Sequence, residues 1–336
     1  MILVIGDLHF KDRLSYSDHV NRETERDEIL DFIVRQADNC DTVISVGDVF
    51  DRRDPPAAVT RDACAFFERF KGKQLFIISG NHDKKASGGT TALDFLREIG
   101  DKHWKIFTRP ELGVEIQGRS VDFIPHMYKG ELGVSTDEEG TKEIMSRLNK
   151  ADMVFHHHAV SDTVSNGVTT NVFREIVLPK TELEQTYKLV VGGHIHTPGV
   201  YGRTVVTGSV FNCDMGETGK FIWKIDPKDL SVEQIKLPGR NIYKLENPTD
   251  MEIGALPFDS IVKCILTDKN IDVEDLKNKL SVFSASLIVE QYPNEREKVH
   301  FEDGAIDLDV LNLLEVYSKS RKIDHGLLIK GYDLIK

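Results

Sequence analysis

Short apolar runs alternate with stretches of helical period along the first two-thirds of the chain. Ile2–Ile5, Thr42–Val46, Gln74–Ile78, Lys105–Thr108, Val121–Ile124, Met153–Phe155 and Leu189–Val191 read as strands. Between the first three lie two amphipathic stretches. One sets Ile29, Leu30, Ile33 and Val34 at helical spacing; the other sets Ala63, Phe66, Phe67 and Phe70. Strand–helix–strand alternation predicts a largely parallel or mixed sheet with helices on its faces, an α/β fold. After Gly193 the strands come closer together, at Val200–Tyr201, Thr204–Val206 and Phe221–Ile225. Pro227 and Pro238-Gly239 mark a boundary, beyond which Ile261–Leu266, Val273–Phe283 and Leu287–Gln291 predict a small β-α-β unit. A last helix with Ile306, Val310, Leu313, Leu314 and Tyr317 on one face precedes an apolar tail through Ile335. The expected division is a main domain over 1–226, a cap over 240–300 and a helical tail over 305–336.

At 336 residues the chain has room for one large core and an appendage. Its 40% hydrophobic and 29% charged residues exclude wholesale disorder. No apolar run reaches the roughly 18 residues needed to span a bilayer. The N-terminus reads as a first strand and not as a signal peptide. Cys40, Cys64, Cys213 and Cys264 are scattered with no CxxC pair, which fits reduced thiols and a cytoplasmic location. A formal net charge of −12 argues mildly against nucleic acid as a partner. A site for divalent cations, however, itself collects carboxylates and is partly neutralised when loaded.

Almost every predicted strand of the first domain ends in residues of metal-ligand type. The ends are Gly6-Asp7-Leu8-His9, Gly47-Asp48-Val49-Phe50-Asp51, Gly80-Asn81-His82-Asp83, Phe155-His156-His157-His158 and Gly192-Gly193-His194-Ile195-His196. Open α/β sheets bind ligands outside the carboxyl ends of their strands, so the five ends are expected to converge. Two cations about 3.5–4 Å apart need a bridging ligand, which one carboxylate can supply. Mixed imidazole and carboxylate donors suit Mn, Fe or Zn far better than Ca. Each fragment alone is weak evidence: an Asp-x-His after a strand is usually a capped turn. Gly-Asn-His-Asp is rarer, arising by chance on the order of once in a thousand chains this long. All five in order, each closing a strand, make a metal site the expected reading. In the triple histidine, alternation from Met153-Val154-Phe155, together with the pattern of the family that these motifs resemble, favours His156, with His157 next and His158 behind the ligands or solvated.

The ordered DxH, GDxxD, GNHD, H and GHxH elements resemble those of the calcineurin-like metallophosphoesterase superfamily. The resemblance implies a four-layer β-sandwich flanked by helices, followed here by the β-α-β cap. It implies that Asp7, His9, Asp48 and His196 hold one divalent ion and Asp48, Asn81, His156 and His194 the other, with Asp48 as the bridge. His82 would be the non-ligand histidine beside the scissile phosphate, oriented by Asp51. The spellings Gly-Asp-Val-Phe-Asp and Gly-Asn-His-Asp, with Phe123-Ile124-Pro125, look like SbcD-type nuclease subunits of recombination and repair complexes. Length and layout are similar to the compact phage recombination endonuclease subunits.

That likeness implies a metal-dependent DNA exonuclease or endonuclease using Mn²⁺, with Mg²⁺ or Fe²⁺ as alternatives. It also implies DNA and an SbcC-type coiled-coil ATPase as partners, with a homodimer as a further option and no membrane. In such complexes the C-terminal region of the nuclease binds the coiled coil, which would place ATPase binding in the apolar tail. Arg52, Arg53, Lys84 and Lys85 follow motifs two and three and would hold flanking phosphates, unless they are merely solvated. The stretch 240–336 is no basic clamp, with 13 Lys and Arg against 18 Asp and Glu. Two rivals stand beside this reading. One is a protein phosphatase or small-molecule phosphodiesterase, although Asp83 stands where those phosphatases carry Glu. The other is a non-catalytic scaffold, although no ligand is missing.

Overall fold

Four hydrophobic strands, β1 (Ile2–Ile5), β2 (Thr42–Ser45), β3 (Gln74–Ile78) and β4 (Trp104–Phe107), lie parallel in that order. In this computed structural model, which describes residues 1–15, 22–85, 91–100, 102–165, 167–213, 217, 219–268 and 270–291, they form the centre of a six-stranded sheet. Phe221–Ile225 adds antiparallel to β1, and Val232–Lys236 adds outside it. A second six-stranded sheet runs Gly199–Tyr201, Thr204–Val206, Leu189–Gly192, β7 (Met153–His156), β6 (Arg119–Ile124), β5 (Glu111–Ile116). Its inner neighbours are parallel and its two outermost pairs antiparallel.

The side-chain period of two decides how the layers stack. Ile2, Val4, Ile44 and Phe76 of the first sheet meet Val121, Phe123, Met153 and Phe155 of the second in an apolar interior. Phe76 stacks on Phe123 at 5.3 Å between ring centroids, and Phe123 on Phe155 at 5.7 Å. The alternate residues Leu3, Ile5, Val43, Leu75 and Ile77 pack against helices α1 (Glu23–Gln36) and α2 (Ala57–Glu68), through Ile29, Ile33, Phe66 and Phe67. On the far side Ile124, Val154 and Val190 meet Leu132, Ile144, Leu183 and Tyr187. Helices, sheet, sheet, helices: this is the expected four-layer α/β sandwich. No helix among the described residues is long and apolar enough to cross a membrane.

Two strands escape the hydrophobic pattern. β5 is an edge strand in which only Ile116 is fully buried, with a register shift against β6 between Glu111 and Val114. Val232–Lys236 is an edge strand with no fully buried residue. It corrects the domain limit expected at 226, because Pro227 lies in the turn of a hairpin and not at the end of a domain. The helix Asp137–Arg147 also lacks a core-like stripe, burying only Gly140 and Ile144. Its start is set instead by a capping box, with Thr136 Oγ1 accepting from Glu139 N at 3.1 Å.

The predicted β-α-β unit is present as Ser260–Leu266, Val273–Ser281 and Ser284–Gln291. A strand at Ile242–Glu246, parallel to Ser260–Leu266, and a short helix at Asp250–Gly254 precede it. By contact density, Met1–Ile265 and Asp272–Glu290 belong to one unit. The tail expected at 305–336 lies outside the described residues.

One buried hydrogen bond ties β6 to the helical layer. Tyr187 Oη donates to Asp122 Oδ2 at 2.7 Å, and both residues are almost fully buried. Tyr187→Phe keeps the ring but leaves that carboxylate oxygen without its donor, which should cost about 1–3 kcal/mol in urea unfolding. A loss under about 0.5 kcal/mol would mean that the bond adds nothing net.

Candidate metal centre

The strand-end loops are laced together by backbone bonds before any side chain is considered. Leu8 N and His9 N both donate to Asp48 O, at 3.0 and 2.9 Å, and Phe10 N donates to Val49 O at 2.8 Å. His9, Asp48 and His194 have φ of 45°, 46° and 77°. Left-handed backbone is uncommon outside glycine and is strain typically held at functional sites. The loops also approach one another very closely. A Cβ on Gly80 would lie 2.0 Å from Asp48 Oδ1, and one on Gly193 would lie 2.6 Å from Asp7 Oδ1. Asp83 fastens the third loop to the second: its carboxylate accepts from Gly80 N at 2.8 Å, Phe50 N at 3.0 Å and Val49 N at 3.2 Å. Burial, with the Asp48 charge nearby, pushes the Asp83 carboxyl up to about 7.

Acceptor atoms then face one another. His157 Nδ1 sits 2.6 Å from Val46 O, which can only accept, so this nitrogen carries a proton. A neutral ring therefore turns a lone pair at Nε2 toward Asp48 Oδ2 and Asn81 Oδ1, both 3.2 Å away and both acceptors. His194 Nδ1 is 3.0 Å from the same Asn81 oxygen. On the other flank His9 Nε2 and His196 Nε2 are 3.0 Å apart. His9 Nε2 lies 3.8 Å from Asp48 Oδ2, and His196 Nε2 lies 3.8 Å from Asp7 Oδ2. Nitrogen donors about 2.1 Å from one cation and at right angles to each other would also stand about 3 Å apart. Asp48, His157 and His194 form one group of candidate ligand atoms and Asp7, His9 and Asp48 another, each within 4.8 Å. Asp48 belongs to both groups. The donor set fits two cations with Asp48 between them.

The electrostatics agree. Burial, and then the Asp48 charge, push the Asp7 carboxyl well above the usual carboxylate range. Burial also pushes Asp48 up, but positive charge on His157, His9 and His82, where those rings are protonated, outweighs that and holds it low. His9 is driven far below the ordinary imidazole value, chiefly by burial. His9 Nδ1 has no hydrogen-bond partner among the described residues. Its closest carboxylate is Asp51, at 3.7 Å.

Six of the seven expected ligands converge: Asp7, His9, Asp48, Asn81, His194 and His196. The seventh expectation is corrected. His157, and not His156, enters the cluster. Met153 and Phe155 face the inter-sheet core and Val154 faces the outer helices, so the same alternation sends His156 outward and His157 inward. His156 is fully buried, with its ring over Gly192 and its Nε2 unpartnered among the described residues. His158 is buried too, stacked on His126 at 4.8 Å.

Asp51 reaches His82 through its main chain. His82 Nδ1 is held by the main-chain carbonyl of Asp51 at 2.7 Å, while the carboxylate takes Lys11 Nζ at 3.3 Å. Lys84 is not a free cation either: it is 3% exposed and paired with Glu131 at 2.9 Å. Arg52 and Lys85 are exposed, with loose partners in Asp12 and Asp54 at 3.8 and 3.5 Å. Arg53 rests on Tyr128 Oη at 3.2 Å, which in turn donates to Asn81 O at 2.8 Å. The sequence reading passed over Asp83 as a fastener, Tyr128, and two glutamates, Glu175 and Glu217, that touch His194 and His196. Sequence spacing carries no signal for either glutamate, since both sit in loops 19 and 21 residues away from their histidines.

Residues 1–198 match the family described as calcineurin-like phosphoesterase. The chain belongs to that family, whose members are metal-dependent hydrolases of phosphoesters. A solved archaeal phosphodiesterase is similar at 15% identity and a TM-score of 0.37, over 70% of this chain and 99% of that one. No curated protein matches.

The two histidines can be told apart by titration calorimetry with Mn²⁺. His157→Ala should bind one ion fewer than the wild type, and His156→Ala should bind the wild-type number. The opposite pattern would restore His156 as the ligand.

Proposed function

We propose that the chain is a two-metal DNA phosphodiesterase, the Mn²⁺-dependent nuclease subunit of a recombination or repair complex with an SbcC-type ATPase. The observation that carries the reading is the pair of donor groups sharing Asp48, with His82 on the same rim. His9 and His82 meet edge to face at 5.0 Å between ring centroids. When bound, the two ions would activate a water and offset charge on the phosphoryl oxygens. The chain supplies the rest. His82 keeps its Nδ1 proton on the Asp51 carbonyl, so in the imidazolium form the second proton, on Nε2, is the one it can pass to the departing oxygen, leaving the neutral ring. Asp83 and the backbone lacing hold the loops while the charge on the phosphoryl group changes. Arg52, Arg53 and Lys85 stand on loops leading away from the ligands, where they can take flanking phosphates without reading bases. Nothing in that arrangement selects a base, so cleavage should follow DNA ends or structure. The amphipathic stripe of residues 306–317 and the apolar tail support docking to the coiled coil.

The reading is tested on linear duplex DNA with Mn²⁺, with and without the ATPase. Digestion should stop in excess EDTA; hydrolysis at full rate there would end the metal account. His82→Ala should lower turnover by roughly 10²–10⁴-fold while both ions still bind. Asp51→Ala should cost less than roughly tenfold, because the carbonyl that holds His82 is retained. Equal losses in the two variants would show that the Asp51 carboxylate is needed after all.

A further inference from the structure

The two histidines of Gly193-His194-Ile195-His196 each turn one ring nitrogen onto a glutamate that no motif contains. His194 Nε2 lies 2.9 and 3.0 Å from the two carboxylate oxygens of Glu175. His196 Nδ1 lies 2.9 Å from Glu217 Oε1. An ionised carboxylate only accepts, so the nitrogen facing it must carry the proton. The neutral ring then bares its other nitrogen, which is Nδ1 in His194 and Nε2 in His196. These are the atoms turned into the site, 3.0 Å from Asn81 Oδ1 and 3.0 Å from His9 Nε2 respectively.

We infer that Glu175 and Glu217 are positioning residues that impose opposite tautomers on His194 and His196, so that each ring offers its lone pair to a different half of the metal centre. The inference rests on the proposed reading of both histidines as ligands. Glu217 is built in: it is 1% exposed, and its Oε2 accepts from Lys220 Nζ at 2.6 Å, Cys213 N at 2.9 Å and Ser209 Oγ at 3.4 Å. Lys220 Nζ also donates to Ser209 Oγ at 2.6 Å, so the ion pair is fixed at both ends. The carboxylate cannot swing away from His196 without abandoning a buried ammonium. Glu175 does the same work from a partly exposed loop, with its side chain 30% accessible. Without its carboxylate each ring can place N–H where the lone pair belongs, and losses of such partners typically cost roughly 10–100-fold in metal affinity.

The test reads the rings directly. Two-bond ¹⁵N–¹H correlation spectra of the metal-free chain at about pH 9, where imidazoles are neutral, should show His194 as Nε2–H and His196 as Nδ1–H. Glu175→Ala should abolish the first preference and weaken one Mn²⁺ in calorimetry by roughly 10–100-fold, leaving the other ion unchanged. Glu175→Asp should recover part of the loss. Because Glu217→Ala would strand the Lys220 charge, the second arm uses Glu217→Met with Lys220→Met, which removes the buried pair together. This variant should abolish the His196 preference and weaken the other Mn²⁺. The inference is overturned if either wild-type ring shows the opposite tautomer, or if both variants bind both ions with wild-type affinity. A wild-type chain with these tautomers that binds no ion at all would refute the metal reading and leave the tautomer assignment standing.

Discussion

Asp7 and Asp48 are buried side by side with almost no exposure, and beyond their backbone donors they face the ring nitrogens of His157, His9 and His196 at 3.2 to 3.8 Å. Removing a carboxylate from water costs several kcal/mol even after relaxation. The fold recovers part of that cost through fixed donors. His194 N reaches Asp7 Oδ2 at 2.9 Å, and His82 N reaches Asp48 Oδ1 at 2.8 Å. Hydrogen bonds to backbone amides do not neutralise two adjacent charges, and the imidazole lone pairs add to the electron density. Bound cations would resolve this conflict. The left-handed loops, the glycines in contact and the Asp83 fastening are what the chain needs to hold such an arrangement together before they arrive.

The sandwich supplies the rigidity. Asp7, Asp48 and Asn81 come from the ends of β1, β2 and β3 in one sheet, while His157 and His194 follow β7 and the Leu189–Gly192 strand in the other. The centre therefore straddles two sheets, and the distance between its halves is fixed by the stacked Phe76, Phe123 and Phe155 beneath it. Core packing and ligand geometry are one constraint. A cavity under those rings would be felt as a change in the spacing between Asp48 and His157, although no ligand had been touched.

The sequence exposes this design unevenly. The central strands are legible because they are buried on both faces and read as continuous apolar runs. β5 and Val232–Lys236 are not, since an edge strand with one wet face buries little. Six of the converging candidate ligands were legible because each stands next to a glycine turn that ends a buried strand. The triple histidine was not. Choosing between His156 and His157 needs the strand's inward face, and this depends on which sheet it packs against. Asp51 holds His82 through its carbonyl and not its carboxylate, and composition says nothing about carbonyls. Lys84 looked like a free cation because its partner Glu131 is 47 residues away. Glu175 and Glu217 were invisible in the same way.

The central claim is that two cations share Asp48, with His157 serving one of them. An anomalous-difference map from crystals grown with Mn²⁺ tests it most directly. The account predicts two peaks with the Asp48 carboxylate between them, one flanked by Asp7, His9 and His196 and the other by Asn81, His157 and His194. A single peak, or a peak whose nearest imidazole is that of His156, would contradict it.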